Sequence, residues 1–443
     1  MKEKIAFISL GCPKNLVDSE LMIEKLAAAG YEMLDSPLGA DAVIINTCGF
    51  IEAAKQEAID TILEMGQYKE DGEVKKIIVI GCMAERYKEE ILNEMPEVDA
   101  AAGIGNNRNI VEFVEEALSS GEKTAVFPPK TDLPLEGARA LATPPHWAYL
   151  KIADGCSNCC TYCAIPMIRG PFRSRSIESV VAEAESLVAS GARELILIAQ
   201  DTTRYGEDLY GRLMLPELLR KLCEIEDLRW IRLLYCYPDR ITDELLETIK
   251  SNEKILHYID LPLQHADGRV LDAMNRCGNR KSLTELIEKI RAALPDVILR
   301  TTLITGFPGE DEAAFTTLSE FIDEISFDRL GCFAYSREEG TPAADLPDQV
   351  DAETAQRRAD VLMEQQYDIM TDLQRDMIGQ VVECVIEDYD GYTDSYTGRT
   401  WMDAPEIDSV IHIVSRRPLD TGDFVNVEIT DVNDYDFIGE VDD

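Results

Sequence analysis

The sequence has no lysine after Lys289, and in the chain as a whole acidic residues outnumber basic ones. The 443 residues include 84 Asp and Glu against 43 Lys and Arg, a formal net charge of −41. From Arg375 to Asp443 there are 18 acidic residues against 4 Arg. Proteins bind nucleic acid by neutralising its phosphates with Lys and Arg, so we expect no strong nucleic-acid binding by this tail. The charge indicates either solubility or a salty habitat, or else a basic partner.

Long apolar runs are missing too, and nothing resembles a signal peptide. The apolar start, Ile5 to Leu10, is short, and no run approaches the length of a membrane span. We therefore expect a cytoplasmic protein with no membrane association. Thiols stay reduced in the cytoplasm, where unusual Cys spacings indicate metal binding rather than disulfides. No Ser–His or paired-carboxylate constellation stands out either.

A cysteine motif is the strongest positive signal. Cys156, Cys160 and Cys163 form C-x3-C-x2-C, one thiolate short of the four that usually hold an iron–sulfur cluster. Three thiolates would leave one iron free to bind a small molecule, which indicates chemistry rather than electron transfer. Cys159 allows a rival zinc site of two adjacent CxxC pairs, but such pairs are normally separated by a longer loop. We expect Cys159 to point away from the cluster.

A second set of cysteines follows three predicted strands near the start of the chain. The apolar runs 4–10, 42–46 and 76–80 lead into Cys12, Cys48 and Cys82, with helical patterns between them. Ligands of open parallel sheets lie outside the carboxyl ends of the strands, so these three thiols should converge on one crevice. Three buried structural cysteines are the alternative.

The rest of the chain divides into further predicted domains. Six strands alternate with five helices after a Pro-rich segment, which is too few for an eight-stranded barrel and favours an open, partial one. A long helix and then short alternating strands predict a small terminal β-barrel. The predicted divisions are an α/β domain (1–125), a linker (126–146), a partial barrel (147–345), a connecting helix (346–378) and a β-barrel (379–443).

These residues resemble one enzyme family along the whole chain. The stretch from Asp154 to Pro166, followed by Arg169-Gly-Pro-Phe-Arg-Ser-Arg175, is similar to the radical S-adenosylmethionine (SAM) methylthiotransferases. The opening Ser9 to Glu20, with Gly-Cys-Pro-Lys-Asn, resembles the RimO-type branch, as does Gln200-Asp-Thr-Thr203. The sister MiaB-type branch usually shows Gly-Cys-Gln-Met-Asn at the first of these motifs. The resemblance implies a parallel α/β domain, a radical SAM partial (β/α)6 barrel and a small antiparallel TRAM β-barrel.

The resemblance also implies the reaction and its cofactors. It implies two [4Fe–4S] clusters, one on Cys12, Cys48 and Cys82 and one on Cys156, Cys160 and Cys163, together with S-adenosylmethionine. The cofactor's radical would take hydrogen from the β-carbon of an aspartate in small-subunit ribosomal protein twelve, and sulfur at the first cluster would follow. It further implies a reducing partner such as flavodoxin or ferredoxin, and a monomeric enzyme.

Cofactor contacts are expected from residues at the ends of the barrel strands. Tyr162 is a candidate to pack against adenine, Gln200 and Asp201 end the second strand, and Arg300 could meet the cofactor carboxylate or pair with an acid. Glycines allow close backbone approach, so Gly306 and Gly309 after the fifth strand are candidates beside a plain turn. We expect a structural role for His265, and core or bystander roles for Cys223, Cys236, Cys277, Cys332 and Cys384.

Two other functions are compatible with parts of the sequence. A MiaB-like tRNA methylthiotransferase acting on isopentenyl-adenosine would use the same cysteines, and the tail offers aromatic residues for stacking but little positive charge. A non-catalytic iron–sulfur carrier would leave the partial barrel without a purpose.

Overall fold

The computed structural model describes residues 3–130 and 136–442 and has the predicted fold class: a parallel α/β domain, an open six-stranded barrel and a small closed β-barrel. Pro134 of the predicted linker lies outside the described residues. The first residue of that linker, Val126, ends a strand of the first domain, and the rest of its described parts, 127–130 and 136–146, contains no helix or strand. No helix in the described chain is long and apolar enough to cross a membrane.

The first domain is a six-stranded sheet in which every pair of neighbouring strands is parallel. The strand order is β2-β1-β3-β4-β5-β6. Its strands are β1 (Lys4–Ser9), β2 (Glu32–Leu34), β3 (Ala40–Thr47), β4 (Val74–Gly81), β5 (Ala100–Ala102) and β6 (Thr124–Val126), and its helices are α1 (Pro13–Ala28), α2 (Glu52–Glu70), α3 (Cys82–Tyr87), α4 (Glu89–Glu94) and α5 (Ile110–Ser119). Strands β1, β3 and β4, which precede the three cysteines, are neighbours in the sheet. Their carboxyl ends therefore lie side by side.

The second domain is an open barrel of six parallel strands in the order β14-β13-β12-β11-β10-β7. Apolar side chains of its strands are buried on both faces of the sheet, against the helices on one side and in the barrel interior on the other. A two-stranded ribbon, β8 with β9, stands apart from this sheet. The strands are β7 (Trp147–Lys151), β8 (Ala153–Asp154), β9 (Arg173–Ser174), β10 (Glu194–Ile198), β11 (Trp230–Leu233), β12 (Ile255–Asp260), β13 (Ile298–Thr305) and β14 (Arg329–Ala334).

Helices cover the outside of this barrel and connect it to the tail. They are α6 (Ile165–Arg169), α7 (Ile177–Ala189), α8 (Glu207–Tyr210), α9 (Leu215–Cys223), α10 (Asp243–Lys250), α11 (Gly268–Ala273), α12 (Arg280–Ala293), α13 (Glu312–Ile325) and the connecting helix α14 (Ala352–Arg375). The Asp351 side chain caps α14 by accepting a hydrogen bond of 2.9 Å from the backbone N–H of Thr354.

The tail is a closed five-stranded barrel. Its strands are β15 (Val381–Asp390), β16 (Ser395–Thr400), β17 (Ile411–Val414), β18 (Phe424–Asn433) and β19 (Asp436–Val441). All pairs are antiparallel except β17 with β19, which is parallel. Strand β16 has the sequence Ser-Tyr-Thr-Gly-Arg-Thr and so lacks the alternation of apolar and polar residues that is typical of a strand.

The loop between β16 and β17 closes the amino-terminal end of the partial barrel. Tyr149 of β7 donates a hydrogen bond of 3.1 Å to Glu406, and Tyr258 of β12 donates one of 2.6 Å to Asp408. Arg329, at the start of β14, contacts Asp403 at 2.6 Å. The side chains of Asp403 and Asp408 therefore lie inside the molecule, against the barrel, while Glu406 contacts Tyr149 from an exposed position.

Glu194 of the partial barrel contributes to a further charged contact with the tail. It accepts from Arg232 at 2.8 Å and from Arg399 of the tail at 2.6 Å, and all three side chains are buried. Burial opposes its ionisation, but Arg399 and Arg232 outweigh this and lower the pKa of Glu194. The carboxylate is therefore charged and holds two buried guanidinium groups in place.

We expect Glu194→Gln to destabilise the chain by about 3–5 kcal/mol, because it leaves the buried Arg232 without a carboxylate partner and the buried Arg399 with Glu387 alone. The measurement is urea unfolding followed by circular dichroism. Glu428→Gln, at an exposed position of β18, is the control and should change the free energy of unfolding by less than about 1 kcal/mol. Equal effects of the two substitutions would contradict this account of the interface.

Candidate active site

Each cysteine of the first domain sits where its strand ends. Cys12 precedes α1, Cys48 follows β3, and Cys82 begins α3. Gly11 allows the first two to approach each other: a Cβ there would lie 2.6 Å from the Cys48 Cβ, and its φ of +89° suits only glycine well. The three thiols line one wall of a single cavity.

The barrel cysteines lie in the loop between β8 and α6, at the carboxyl ends of the barrel strands. The loop is anchored by Thr161, whose N–H and hydroxyl donate to the carbonyls of Met274 and Ala273 at 3.0 and 2.7 Å. Cys156, Cys160 and Cys163 line the same cavity as the first set. Each set therefore faces the other across a space of about 370 Å³, within the usual range for small-molecule sites.

Cys159 has a different environment from its neighbours. Its side chain is exposed, its backbone is left-handed with φ of +53°, and its thiol faces the carbonyl of Ser157 at 3.7 Å. It does not line the cavity, so the loop offers three thiols there rather than the four of a zinc site. Among the described residues no group of His, Cys, Asp and Glu converges on a single metal ion.

The thiols differ in how readily they ionise. Burial raises the pKa of Cys82 to about 12 and that of Cys156 to about 11. Burial likewise raises the pKa values of Cys48 and Cys163. Burial acts in the same sense on Cys12, but the charges of Lys14 and Arg169 outweigh it and lower the pKa of that thiol. Closely grouped soft donors with cations behind them suit an iron–sulfur cluster.

Arg169 supports the first set from behind. Its guanidinium lies 3.7 Å from the Cys82 thiol and donates to Asn15 at 3.2 Å. The same group pairs with Asp18 at 3.0 Å and with Asp154 at 3.1 Å. Burial would raise the pKa of Asp154, but Arg169 and Lys151 outweigh it and lower that pKa below its usual value.

Two strained residues line the barrel side of the cavity. Tyr235, after β11, has a φ of +61°, and Gln264, after β12, has a φ of +75°. Bulky residues in this conformation are uncommon and cluster at functional sites. The N–H of Tyr235 donates to Asp260 at 2.8 Å, which fixes this backbone.

The predicted cofactor residues divide into two groups. Tyr162 and Gln200 line the cavity, and the buried Oε1 of Gln200 has no hydrogen-bond partner in the described protein. Asp201 lies behind the wall, where it accepts from Asn158 at 2.8 Å and from Arg240 at 3.2 Å.

The remaining three lie away from the cavity. Arg300 pairs with Asp260 at 3.0 Å and faces Asp408 of the tail at 3.5 Å. Gly306 packs against α14, where a Cβ would come within 2.2 Å of the Ala355 Cβ, and Gly309 lies in an open turn. Arg300 thus takes the expected alternative of pairing with acids, and the glycines serve helix packing and a turn.

Several cavity residues carried no signal of their own in the sequence. Arg276 lies 3.9 Å from the Cys160 thiol and 4.0 Å from the Tyr237 ring, although it is 116 positions from Cys160 along the chain. Cys236, expected in the core, is buried yet also lines the cavity. His265 does not line the cavity and is buried beside Glu310 at 3.3 Å, a structural environment. No spacing rule connects such distant positions.

Family models match three parts of the chain. Residues 4–103 match an uncharacterized protein family designated UPF0004, residues 150–322 match the radical SAM superfamily, and residues 378–441 match the TRAM domain. The chain therefore contains a radical SAM domain, which works with S-adenosylmethionine and an iron–sulfur cluster.

Solved structures share the fold at low sequence identity. A radical S-adenosylmethionine methyltransferase, TsrM from Kitasatospora setae, has a TM-score of 0.58 at 14% identity and covers 77% of each chain. The cobalamin-dependent radical enzyme OxsB has a TM-score of 0.51 at 13% identity, over 84% of this chain and 56% of the other.

Curated relatives are similar over nearly the full length. The ribosomal protein uS12 methylthiotransferase RimO of Desulforamulus reducens is 49% identical over 439 residues, 99% of each chain. Those of Desulfitobacterium hafniense and Geobacter sulfurreducens are both 48% identical, over 100% and 99% of this chain and 99% of each relative. At this identity and coverage, the chain belongs to the RimO family of radical SAM methylthiotransferases.

Proposed function

We propose that this enzyme transfers a methylthio group to the β-carbon of an aspartate in small-subunit ribosomal protein twelve, in the cytoplasm. The observation that carries the proposal is the pair of three-thiol sets facing each other across one cavity. We propose one [4Fe–4S] cluster on Cys156, Cys160 and Cys163 and a second on Cys12, Cys48 and Cys82. With S-adenosylmethionine bound, these groups would supply the carbon radical and the sulfur.

The protein's own contribution is position and charge. Loop 155–164 holds three thiols at the barrel mouth, and Gln200 and Tyr162 provide a polar atom and a ring beside them. Asp201 positions this wall through Asn158. Arg169 and Lys14 offset the negative charge of the opposite thiols. The first domain covers the mouth and limits the access of water to a reactive carbon radical.

The tail's electrostatics favour a protein substrate over tRNA. Of its four arginines, Arg399 is buried against Glu194, and Arg375 pairs with Asp372. Two of the tail's tyrosines, Tyr389 and Tyr392, are well exposed, yet stacking without phosphate neutralisation gives weak binding. We propose a basic ribosomal protein as the partner, an electron donor such as flavodoxin or ferredoxin, and a monomeric enzyme.

The identity of the substrate is tested in a reaction run without oxygen. The reconstituted enzyme is given S-adenosylmethionine, a reductant, and ribosomes and bulk tRNA from cells lacking this gene. We expect mass spectrometry to find a methylthio group on one aspartate peptide and on no nucleoside. A modified nucleoside with unmodified ribosomal peptides would overturn the proposed substrate and keep the reaction class.

Cysteine substitutions test the assignment of the two sets. We expect Cys48→Ala or Cys82→Ala to reduce methylthiolation at least about 100-fold while reductive cleavage of S-adenosylmethionine persists, because the barrel thiols are intact. Cys160→Ala should abolish both reactions. Each variant should lose about four of about eight irons.

Exposed Cys277, which does not line the cavity, provides the matched control. Cys277→Ala should keep both reactions and its full iron content. Iron loss from Cys277→Ala, or normal methylthiolation by Cys48→Ala, would show that the thiol sets are wrongly assigned.

A further inference from the structure

The cavity between the two thiol sets differs in charge from the rest of the chain. Although the net charge is −41, no Asp or Glu lines this cavity in the described residues. Three cations do: Lys14, Arg169 and Arg276. The charged side chains of this cavity are therefore all cationic, although the protein as a whole is acidic. Such a cavity suits an anionic ligand.

Two of these cations already have partners in the protein. Arg169 is paired with Asp18 and Asp154. Arg276 donates to the carbonyl of Pro262 and stacks on Tyr237, beside the Cys160 thiol. Both are thus held on opposite walls by contacts that do not require a ligand.

Lys14 is different. Its side chain is buried, with the residue 6% exposed, and its Nζ lies 3.1 Å from the centre of the Tyr235 ring. In residues 3–130 and 136–442, no carboxylate lies within ion-pair distance of this ammonium group. An ammonium carries three N–H donors, and a ring face satisfies them poorly.

Three physical costs oppose this placement. A buried charge without a counter-charge is strongly unfavourable. Lys14 also lies in the first turn of α1, where the helix dipole favours anions over cations. Its ring partner adds a third cost, because Tyr235 is held in a left-handed backbone conformation. Costs of this kind persist at sites where function requires them.

We propose that Lys14, seated on Tyr235, binds the carboxylate of the substrate side chain and so selects an acidic residue for modification. This inference rests on the proposed function. Lys14 belongs to the wall of Cys12, Cys48 and Cys82, while Tyr235 belongs to the barrel. A carboxylate held between these walls leaves its neighbouring carbon in the space between the two thiol sets, where both would act on it.

Lys14 has one competing role, which the experiment must separate. Its charge also acts on Cys12, so it could serve only to offset the charge of the thiolates. If Lys14 acted only on the thiolates, its loss would affect substrates with Asp and with Asn at the modified position equally. Carboxylate recognition instead changes the preference between Asp and its neutral isostere Asn.

The experiment measures binding of two basic peptides to the reconstituted enzyme with S-adenosylmethionine and no reductant. The peptides carry the substrate's target sequence and differ only in Asp or Asn at the modified position. We expect the unsubstituted enzyme to prefer Asp by roughly 10- to 100-fold, the range for a charge-assisted hydrogen bond. In Lys14→Met this ratio should fall to within about 2-fold. Lys14→Arg should keep most of it, because the charge remains.

Lys25→Met, at the other end of α1, is the matched control and should keep the full preference. Iron content and circular dichroism are measured for every variant. If Lys14→Met fails to assemble, Lys14→Gln and Lys14→Arg supply the neutral and charged comparison.

Three results would overturn the inference: equal binding of Asp and Asn peptides by the unsubstituted enzyme, a preserved preference in the neutral variants, or a loss of preference in Lys14→Arg equal to that in Lys14→Met. Failure of the proposed function is seen separately. With reductant added, the unsubstituted enzyme would then leave the Asp peptide without a methylthio group, whatever its binding preference.

Discussion

The buried ion cluster around Arg169 is the interaction on which the site depends. Asp18 of the first domain and Asp154 of the barrel share the cations Arg169 and Lys151, and all four side chains are almost fully buried. Two anions and two cations balance, so the burial of each charge is offset by its neighbours. The cluster joins α1 to the barrel mouth directly behind the thiols. The cavity exists only between these two bodies, so its width and charge follow from this junction.

A second set of charges closes the other end of the barrel. Asp403, Glu406 and Asp408 of the tail contact Arg329, Tyr149 and Tyr258 of the barrel, respectively. Part of the tail's negative charge is therefore structural. The sequence indicates only that the charge is large, so it could be assigned to solubility or to a partner. The structure shows a third use, which is to attach the small barrel to the large one.

Prediction succeeded where the local pattern was strong and long. Six barrel strands and a long helix before the tail were predicted from apolar runs and periodicity, and the structure contains them. Strands β2, β5 and β6 were not predicted, because three residues are too few to show a pattern. Strand β16 has a polar sequence without apolar alternation, so its pairing with neighbouring strands makes it a strand. In these cases sheet pairing outweighs local propensity.

Both cysteine sets could be recognised in the sequence: three thiols at C-x3-C-x2-C, and three more after predicted parallel strands. Those signals are local, since each depends on residues within one loop or at one strand end. Which side chains share the cavity depends on the fold. Arg276 reaches Cys160 across 116 positions, while Arg300, equally plausible by its place in a strand, turns to Asp260 and the tail. Whether a cation is paired or left facing a cavity depends on carboxylates far away in the sequence, and the part of the chain that the structure describes places none within ion-pair distance of Lys14.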